Sequence, residues 1–378
     1  MEGPADTRQS LSRRAFLRRA GVGAAGAAIG GSALIAACSK SSSSSSVREV
    51  RVFNQPLALD DLTPTLFEKG SGIFLRYHEY PSSAEYLRGV SARLRAHHDI
   101  GADVVVVPDF QTAQMIESGW VRPVQSDANR RRVLPAFAKA HFDPDRRFSL
   151  PWSSTMVGLA YDRRFVVDPI RSAGALFDRR FAGKVALSAD PAATLGLVVL
   201  ASGANPASVT EDQAAAAVDR VRAAVANGQV RSFTTTEHID DLVSGRASIA
   251  IARSDEVKDA LVVSPTLAFV VPTEGGLLES TNMVVPMGVR NLDEARAFID
   301  FMFKPLSNAR IASYMGRVMS IDGGLDQMQQ IDVTASLDHL IEPDPTTWSR
   351  LSIWGLPTTS RAVSDFAAIV AAHPNGPR

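Results

Sequence analysis

The residues with the most legible chemistry stand near the start of the chain. Ser12-Arg13-Arg14-Ala15-Phe16-Leu17-Arg18 precedes an apolar stretch that closes on Ile35-Ala36-Ala37-Cys38. Paired arginines followed by two large apolar residues have the pattern of a twin-arginine export signal. The closing tetrad has the pattern of a bacterial lipobox, in which the cysteine sulfur is acylated and the chain is cut just before it. Cys38 is the only cysteine, so no intramolecular disulfide and no cysteine-based metal cluster can form. Gly21-Val22-Gly23-Ala24-Ala25-Gly26 spells a dinucleotide-binding fingerprint, but that reading needs a preceding strand, and a basic segment stands there instead. A retained membrane helix is also disfavoured: residues 21–37 would span roughly 26 Å, short of a hydrocarbon core of about 30 Å.

Catalytic chemistry has no comparable signature. The chain carries no Gly-x-Ser-x-Gly elbow, no His-Glu-x-x-His helix and no phosphate-cradling glycine loop followed by lysine. His97-His98-Asp99 is the best metal-like cluster, yet adjacent residues on a helix point in different directions. A polar helix end, where a protonated imidazole suits the negative dipole, is the better role. Tyr77, Tyr80, Tyr86, Tyr161 and Tyr314 include no adjacent pair of the kind that captures iron. No enzyme activity, metal or cofactor is expected.

Charge points away from nucleic acid. Once the leader is set aside, with its five arginines and two acids, acidic residues exceed basic ones by three. The densest basic run, Arg130-Arg131-Arg132, reads as a solvated face. After Cys38 comes Ser39-Lys40 and then six serines, Ser41 to Ser46, a polar tract that can bury nothing and acts as a tether of roughly 20 Å. The expected organisation is therefore a signal peptide over 1–37, a tether over 38–47, and a folded part of about 340 residues, ample for one large or two medium domains.

The elements that would position any site alternate short apolar runs with amphipathic ones, as in an α/β protein with mostly parallel strands. The patterning predicts strands over 50–53 and 73–77, with a helix over 62–69 between them stopped by Gly70 and Gly72. A helix over 83–96, capped by Ser83, leads to a strand over 103–107 whose continuous valines suit a sheet covered on both faces. A helix over 111–118 follows. Downstream come a strand over 184–187 and a helix over 210–227, capped by Thr210 and ended by Asn227-Gly228. Apolar runs over 247–252, 267–271 and 283–286 then precede two helices over 291–303 and 305–315. Ligands of such open sheets bind beyond the carboxyl ends of the strands.

From Val50 to about Val370 the chain resembles the substrate-binding proteins of bacterial ABC importers, in particular their polyamine (spermidine/putrescine) branch. The resemblance is carried by Val52-Phe53-Asn54 at the first strand end, Ala102-Asp103-Val104-Val105-Val106-Val107-Pro108 at the third, and Leu150-Pro151-Trp152 at the crossing between lobes. Phe181-Ala182-Gly183-Lys184-Val185 and Val271-Pro272-Thr273-Glu274-Gly275-Gly276 complete it. It implies a two-lobed periplasmic-binding-protein (type II) fold, each lobe a mixed, mostly parallel sheet flanked by helices, with hinge strands between. Lobe 1 would comprise 48–154 plus 282–312, and lobe 2 155–281 plus 313–378. It also implies a monomeric receptor held outside the cytoplasm by its lipid anchor, closing on a small solute and presenting it to a membrane permease.

Polyamine binders hold an alkyl diamine with aromatic rings along the methylenes and carboxylates at the ammonium ends. Carried over along these signposts, the aromatic residue expected beside Asn54 is Gln55, and the serine and tyrosine expected after the third strand fall on Asp109 and Gln111. The acid of the second lobe is kept as Asp190 while its partner falls on Ala193, and a tryptophan after the 247–252 run becomes Arg253. A tryptophan and an aspartate after the glycine pair fall on Glu279 and Thr281. Trp152 and Trp348 remain as replacement aromatic walls or as packing residues. The implied ligand is a polyamine-like cation held by Asp109, Asp190 and Glu279. The alternatives are an anionic or amino-acid-like solute paired with Arg253, or a sensory or adaptor lipoprotein that has kept the fold without transport.

Overall fold

A computed structural model describes residues 47–124 and 127–373. The twin-arginine leader, Cys38 and the serine tether up to residue 46 lie outside the described residues. Within the described residues eleven strands join one sheet: β1 (Glu49–Asn54), β2 (Phe74–Glu79), β3 (Val104–Pro108), β4 (Val121–Arg122), β5 (Ser149–Asp162), β6 (Val185–Ser188), β7 (Val230–Thr234), β8 (Ile249–Arg253), β9 (Leu267–Val270), β10 (Gly276–Pro286) and β11 (Leu351–Ser352). The main path runs β2-β1-β3-β10-β5-β8-β6-β7. Pairs β1–β2, β1–β3, β6–β7 and β6–β8 are parallel, whereas β10 and β5 run antiparallel to their neighbours on this path.

Alternation along a strand explains how one sheet carries four apolar layers. On β3, Val104 and Val106 enter one core with Val50, Phe67 and Phe298, while Val105 and Val107 enter another with Leu87, Leu94 and Met115. On β8, Ile249 and Ile251 face a core with Leu197, Val218 and Phe366, and Ala250 and Ala252 face one with Leu242 and Val257. Successive side chains point to opposite faces, so a continuous apolar run is buried on both. The first pair of cores belongs to one lobe and the second to the other.

Strands β5 and β10 connect the lobes. Leu150, Trp152 and Met156 of β5 lie in the first lobe's core, and Val157, Leu159 and Tyr161 in the second's. On β10 the change falls between Leu278 and Leu277, which pair with Met156 and Val157. Both long strands therefore pass from lobe to lobe at the same rung. A bulge between Thr281 and Asn282 makes Trp152 the extra residue, bending the pair where Pro151 would otherwise leave a ladder bond unmade. Gly275 lets β10 begin there: its φ is +125°, and a Cβ would stand 2.5 Å from the Arg350 carbonyl oxygen.

Several local expectations shift. Ser82, not Ser83, caps the helix Ser83–Arg95 by accepting from Glu85 N, and Gly72 rather than Gly70 ends Leu62–Ser71 in the left-handed conformation. Thr210 does cap Glu211–Ala226, in a capping box closed by Gln213. The helix Pro191–Leu200 is absent from the sequence reading because it is apolar all round and has no helical stripe. The C-terminal part contributes to both cores: Met315, Val318, Ile321, Leu351 and Ile353 pack in the first, and Ala362, Phe366 and Ile369, with Trp354, Leu356 and Val370 against them, in the second. No helix among the described residues is long and apolar enough to cross a membrane.

Candidate ligand-binding site

Where β5 and β10 cross between the lobes, both turn polar. Thr155, Ser154 and Ser153 pair with Glu279, Ser280 and Thr281. Their side chains bond across the ladder, Ser154 Oγ to Ser280 Oγ at 2.8 Å and Ser153 Oγ to Thr281 Oγ1 at 3.0 Å. Parallel strands from both sheet halves end beside this polar belt. Asn54 is the last residue of β1, Arg253 the last of β8, Asp109 opens the helix after β3, and Asp190 caps the helix after β6. Open α/β sheets hold their ligands beyond such carboxyl ends.

Four of the ten sequence-predicted residues come together here. The Asp109 carboxylate accepts from Ser280 N and from Asn282 Nδ2, both at 2.8 Å. Asp190 accepts from Ala193 N at 3.0 Å, which fixes its carboxylate at a positive helix end. Arg253 Nε donates to Glu279 Oε2 at 2.7 Å, and its Nη1 lies 3.8 Å from Glu256 Oε1. Glu279 Oε1 is buried without a hydrogen-bond partner. Asp109, Asp190 and Glu279 interact electrostatically with one another.

The other six are placed differently. Asn54 is fully buried and accepts from Gln55 N at 2.7 Å; among the described hydrogen bonds, the side chains of Gln55 and Gln111 make none with the acidic cluster. Thr281 is buried in the ladder with Ser153. Trp152 is 2 % exposed, donates Nε1–H to the Ala58 carbonyl at 3.2 Å and stacks on Phe298, so it packs a lobe. Trp348 sits edge-on to Phe137, partly buried against the same core, also as a packing residue. The expected aromatic wall is therefore not supplied by either tryptophan. Asp99 of the histidine cluster is held by Arg51 and Arg290, and no group of three potential metal ligands occurs among the described residues.

Sequence reasoning missed the shell that holds this cluster. Arg146 is 1 % exposed, donates Nε–H to the Phe137 carbonyl at 2.7 Å and Nη1–H to Asn282 Oδ1 at 3.1 Å, and so backs the amide that supports Asp109. Arg317 donates to Asp255 Oδ2 at 2.8 Å, and Thr155 to Asp255 Oδ1 at 2.8 Å. His238 Nε2 lies 3.0 Å from Glu256 Oε2, an oxygen that also accepts from Arg253 N at 2.9 Å. The available signal was a pair of polar runs, Ser153-Ser154-Thr155 and Glu279-Ser280-Thr281-Asn282, each interrupting an apolar segment.

Charge balance in the cluster favours the uncharged acid. Burial pushes Glu279 up, Arg253 pulls it down, and Asp190 and Asp109 push it up again, to about 7. Burial also raises Asp109, against the pull of Arg146. Glu279 and the nearby acids hold the Arg253 guanidinium firmly charged despite its burial. Burial would lift Asp255 too, but Arg317 and the Thr155 hydroxyl keep it below the usual carboxylate range. Because the folded-state value of Glu279 lies above its ordinary 4.5, the folded protein keeps a proton that the unfolded chain has lost. Stability contributed at low pH is thus lost as pH rises from about 4.5 to about 7. We expect Glu279→Gln to flatten this loss, read as melting temperatures from pH 5 to pH 8; parallel profiles for the two proteins would refute it.

The comparisons agree with this geometry. The profile of bacterial extracellular solute-binding proteins matches residues 65–331. The chain is 22 % identical over 256 residues to the spermidine/putrescine-binding periplasmic protein of Escherichia coli K12, covering 66 % of this chain and 71 % of that one. It superposes with TM-score 0.72 on the spermidine/putrescine ABC transporter substrate-binding protein PotD of Streptococcus pneumoniae, at 21 % identity over 86 % of this chain and 99 % of that one. The TpPotD lipoprotein of Treponema pallidum aligns with TM-score 0.67 at 17 % identity, over 86 % of this chain and 98 % of that one.

Proposed function

This chain belongs to the bacterial extracellular solute-binding proteins of ABC transporters, which bind and do not transform, and on that premise we propose that it is a lipid-anchored receptor capturing a small organic amine between its lobes. The observation that carries the amine is the acidic cluster. Asp109, Asp190 and Glu279 act on one another electrostatically at the strand ends; of the three only Glu279 has an ion-pair partner among the described residues, and Arg146 offsets Asp109 without pairing with it. A buried carboxylate without a cation is costly unless something charged and hydrogen-bonding arrives. An ammonium group supplies both. An anionic solute is less well served, because Arg253 is already engaged by Glu279 and flanked by Glu256.

The polyamine names of the relatives support the amine class, while the missing aromatic walls argue for a chain shape or length of its own. The lipobox at Cys38 and the twin arginines support anchoring outside the cytoplasm, where the tether would keep the receptor near its permease and raise the effective concentration. Calorimetric titration with a panel of aliphatic amines, amino acids, phosphonates and sugars tests the ligand class. Binding confined to the acids or sugars would sink the amine reading. Cys38→Ala should release the protein from the membrane fraction, and unchanged membrane retention would refute the anchor.

A further inference from the structure

Counting acceptors in the crevice shows how much positive charge it can still take. Asp109 spends one oxygen on Ser280 N and the other on Asn282 Nδ2. Asp190 spends one on Ala193 N, and Glu279 spends Oε2 on Arg253 and leaves Oε1 buried and unpartnered. The free Glu279 oxygen, the second oxygen of Asp190 and the spare lone pairs of Asp109 equal in number the three donors of one ammonium group. A second ammonium drawn to Glu279 would compete with Arg253 for the same carboxylate.

Arg253 is built into its place beside that carboxylate. Its backbone N–H is held by Glu256 Oε2 at 2.9 Å, and Glu256 is itself held by buried His238 at 3.0 Å. From that anchor, at the carboxyl end of β8, the guanidinium reaches across to β10 and makes with Glu279 the charge-assisted contact that a ligand cation would make. Asp190 and Asp255 add to the field around it.

Resting on the amine reading of the crevice, we propose that Arg253 is a tethered counter-cation that fills one of two cationic positions, so that the protein takes amines with one charged end and turns away those with two. The class this selects is an aliphatic amine whose far end is uncharged, for example a polyamine acylated on its distal nitrogen. Arg253 then acts as a specificity residue through repulsion as well as occupancy, a positive group set against the doubly charged competitor.

The test is calorimetric titration of the full chain in detergent at pH 8 with three four-carbon probes: butylamine, 1,4-diaminobutane and 4-aminobutanoate. The native protein should bind butylamine at least about tenfold tighter than the diamine. Arg253→Met should reverse that order, the diamine gaining about tenfold or more, and Arg253→Lys should keep the native order because it keeps the charge. Arg253→Gln, which retains a donor for Glu279, repeats the neutral arm if the methionine variant does not fold. A native preference for the diamine, or no diamine gain in the neutral variants, overturns the inference while leaving the amine reading intact. Selective loss of 4-aminobutanoate in the neutral variants would make Arg253 an anion receptor and also overturns it. If none of the probes and no longer amine binds any of the proteins, the amine reading itself fails and this inference falls with it.

Discussion

Replacing Asp190 by asparagine is expected to weaken amine binding about thirtyfold or more while leaving the fold's stability almost unchanged. The carboxylate has two tasks. It caps the helix Pro191–Leu200 through Ala193 N, and it adds negative charge to the crevice shared with Glu279 and Asp109. Removing one partner of a buried, hydrogen-bonded charge pair costs about 2–5 kcal/mol, and the low end suits a half-buried residue, which sets the thirtyfold floor. Asparagine caps a helix as well as aspartate does, whereas alanine gives up about 1 kcal/mol. Asp190→Asn should therefore lose affinity alone, and Asp190→Ala both affinity and melting temperature. Calorimetry and thermal melts on the two variants separate the tasks. Native affinity in Asp190→Asn would place the ligand elsewhere.

Arg146→Met should have the largest effect on stability, about 3–5 kcal/mol, the cost of leaving a buried charge without its counterpart. The side chain is enclosed, bonded to Phe137, Ser149 and Asn282, and it opposes the buried charges of Asp109 and Asp143. Without it Asp109 keeps its desolvation cost and loses the charge that offsets it. The penalty should shrink as pH falls and Asp109 takes up a proton, and it should be partly restored by adding Asp109→Asn. Urea unfolding of the single and double variants reads both. A loss below about 1 kcal/mol, or a double variant no more stable than the single one, would show that the two charges are not coupled.

These effects concern residues that were legible in the sequence to very different degrees. Asp109, Asp190, Arg253 and Glu279 could be named in advance because the resemblance to polyamine-binding proteins carries its site positions onto them. Arg146 could not. It stands in a loop beside Arg147, 136 positions from Asn282, and nothing in its neighbours marks it as buried. Long strands were harder to see than short ones. β5 carries a proline, a glycine and three consecutive polar residues, Ser153-Ser154-Thr155, in its 14 positions, and β10 carries four consecutive polar residues. Those are the residues that meet at the crevice, so the feature that makes the strands functional also hides them from a hydrophobicity pattern. Trp152 and Trp348 posed the opposite difficulty: a tryptophan's type is the same in a wall and in a core, and only its neighbours distinguish them.

Local pattern was enough to establish an α/β architecture, its buried valine strand and most helix boundaries, because periodicity and capping act over a few residues. The resemblance, not the pattern, pointed to Asp109, Asp190, Glu279 and Arg253. Whether those charges face a ligand or each other depended on the packing of β10 against β5 and of β5 against β8. That packing sets Arg253 on Glu279, sets Arg146 against Asp109, and leaves Asp190 without an ion-pair partner among the described residues. Charge pairing at a few ångströms between residues dozens of positions apart follows from register and burial, and neither is written in the order of residue types.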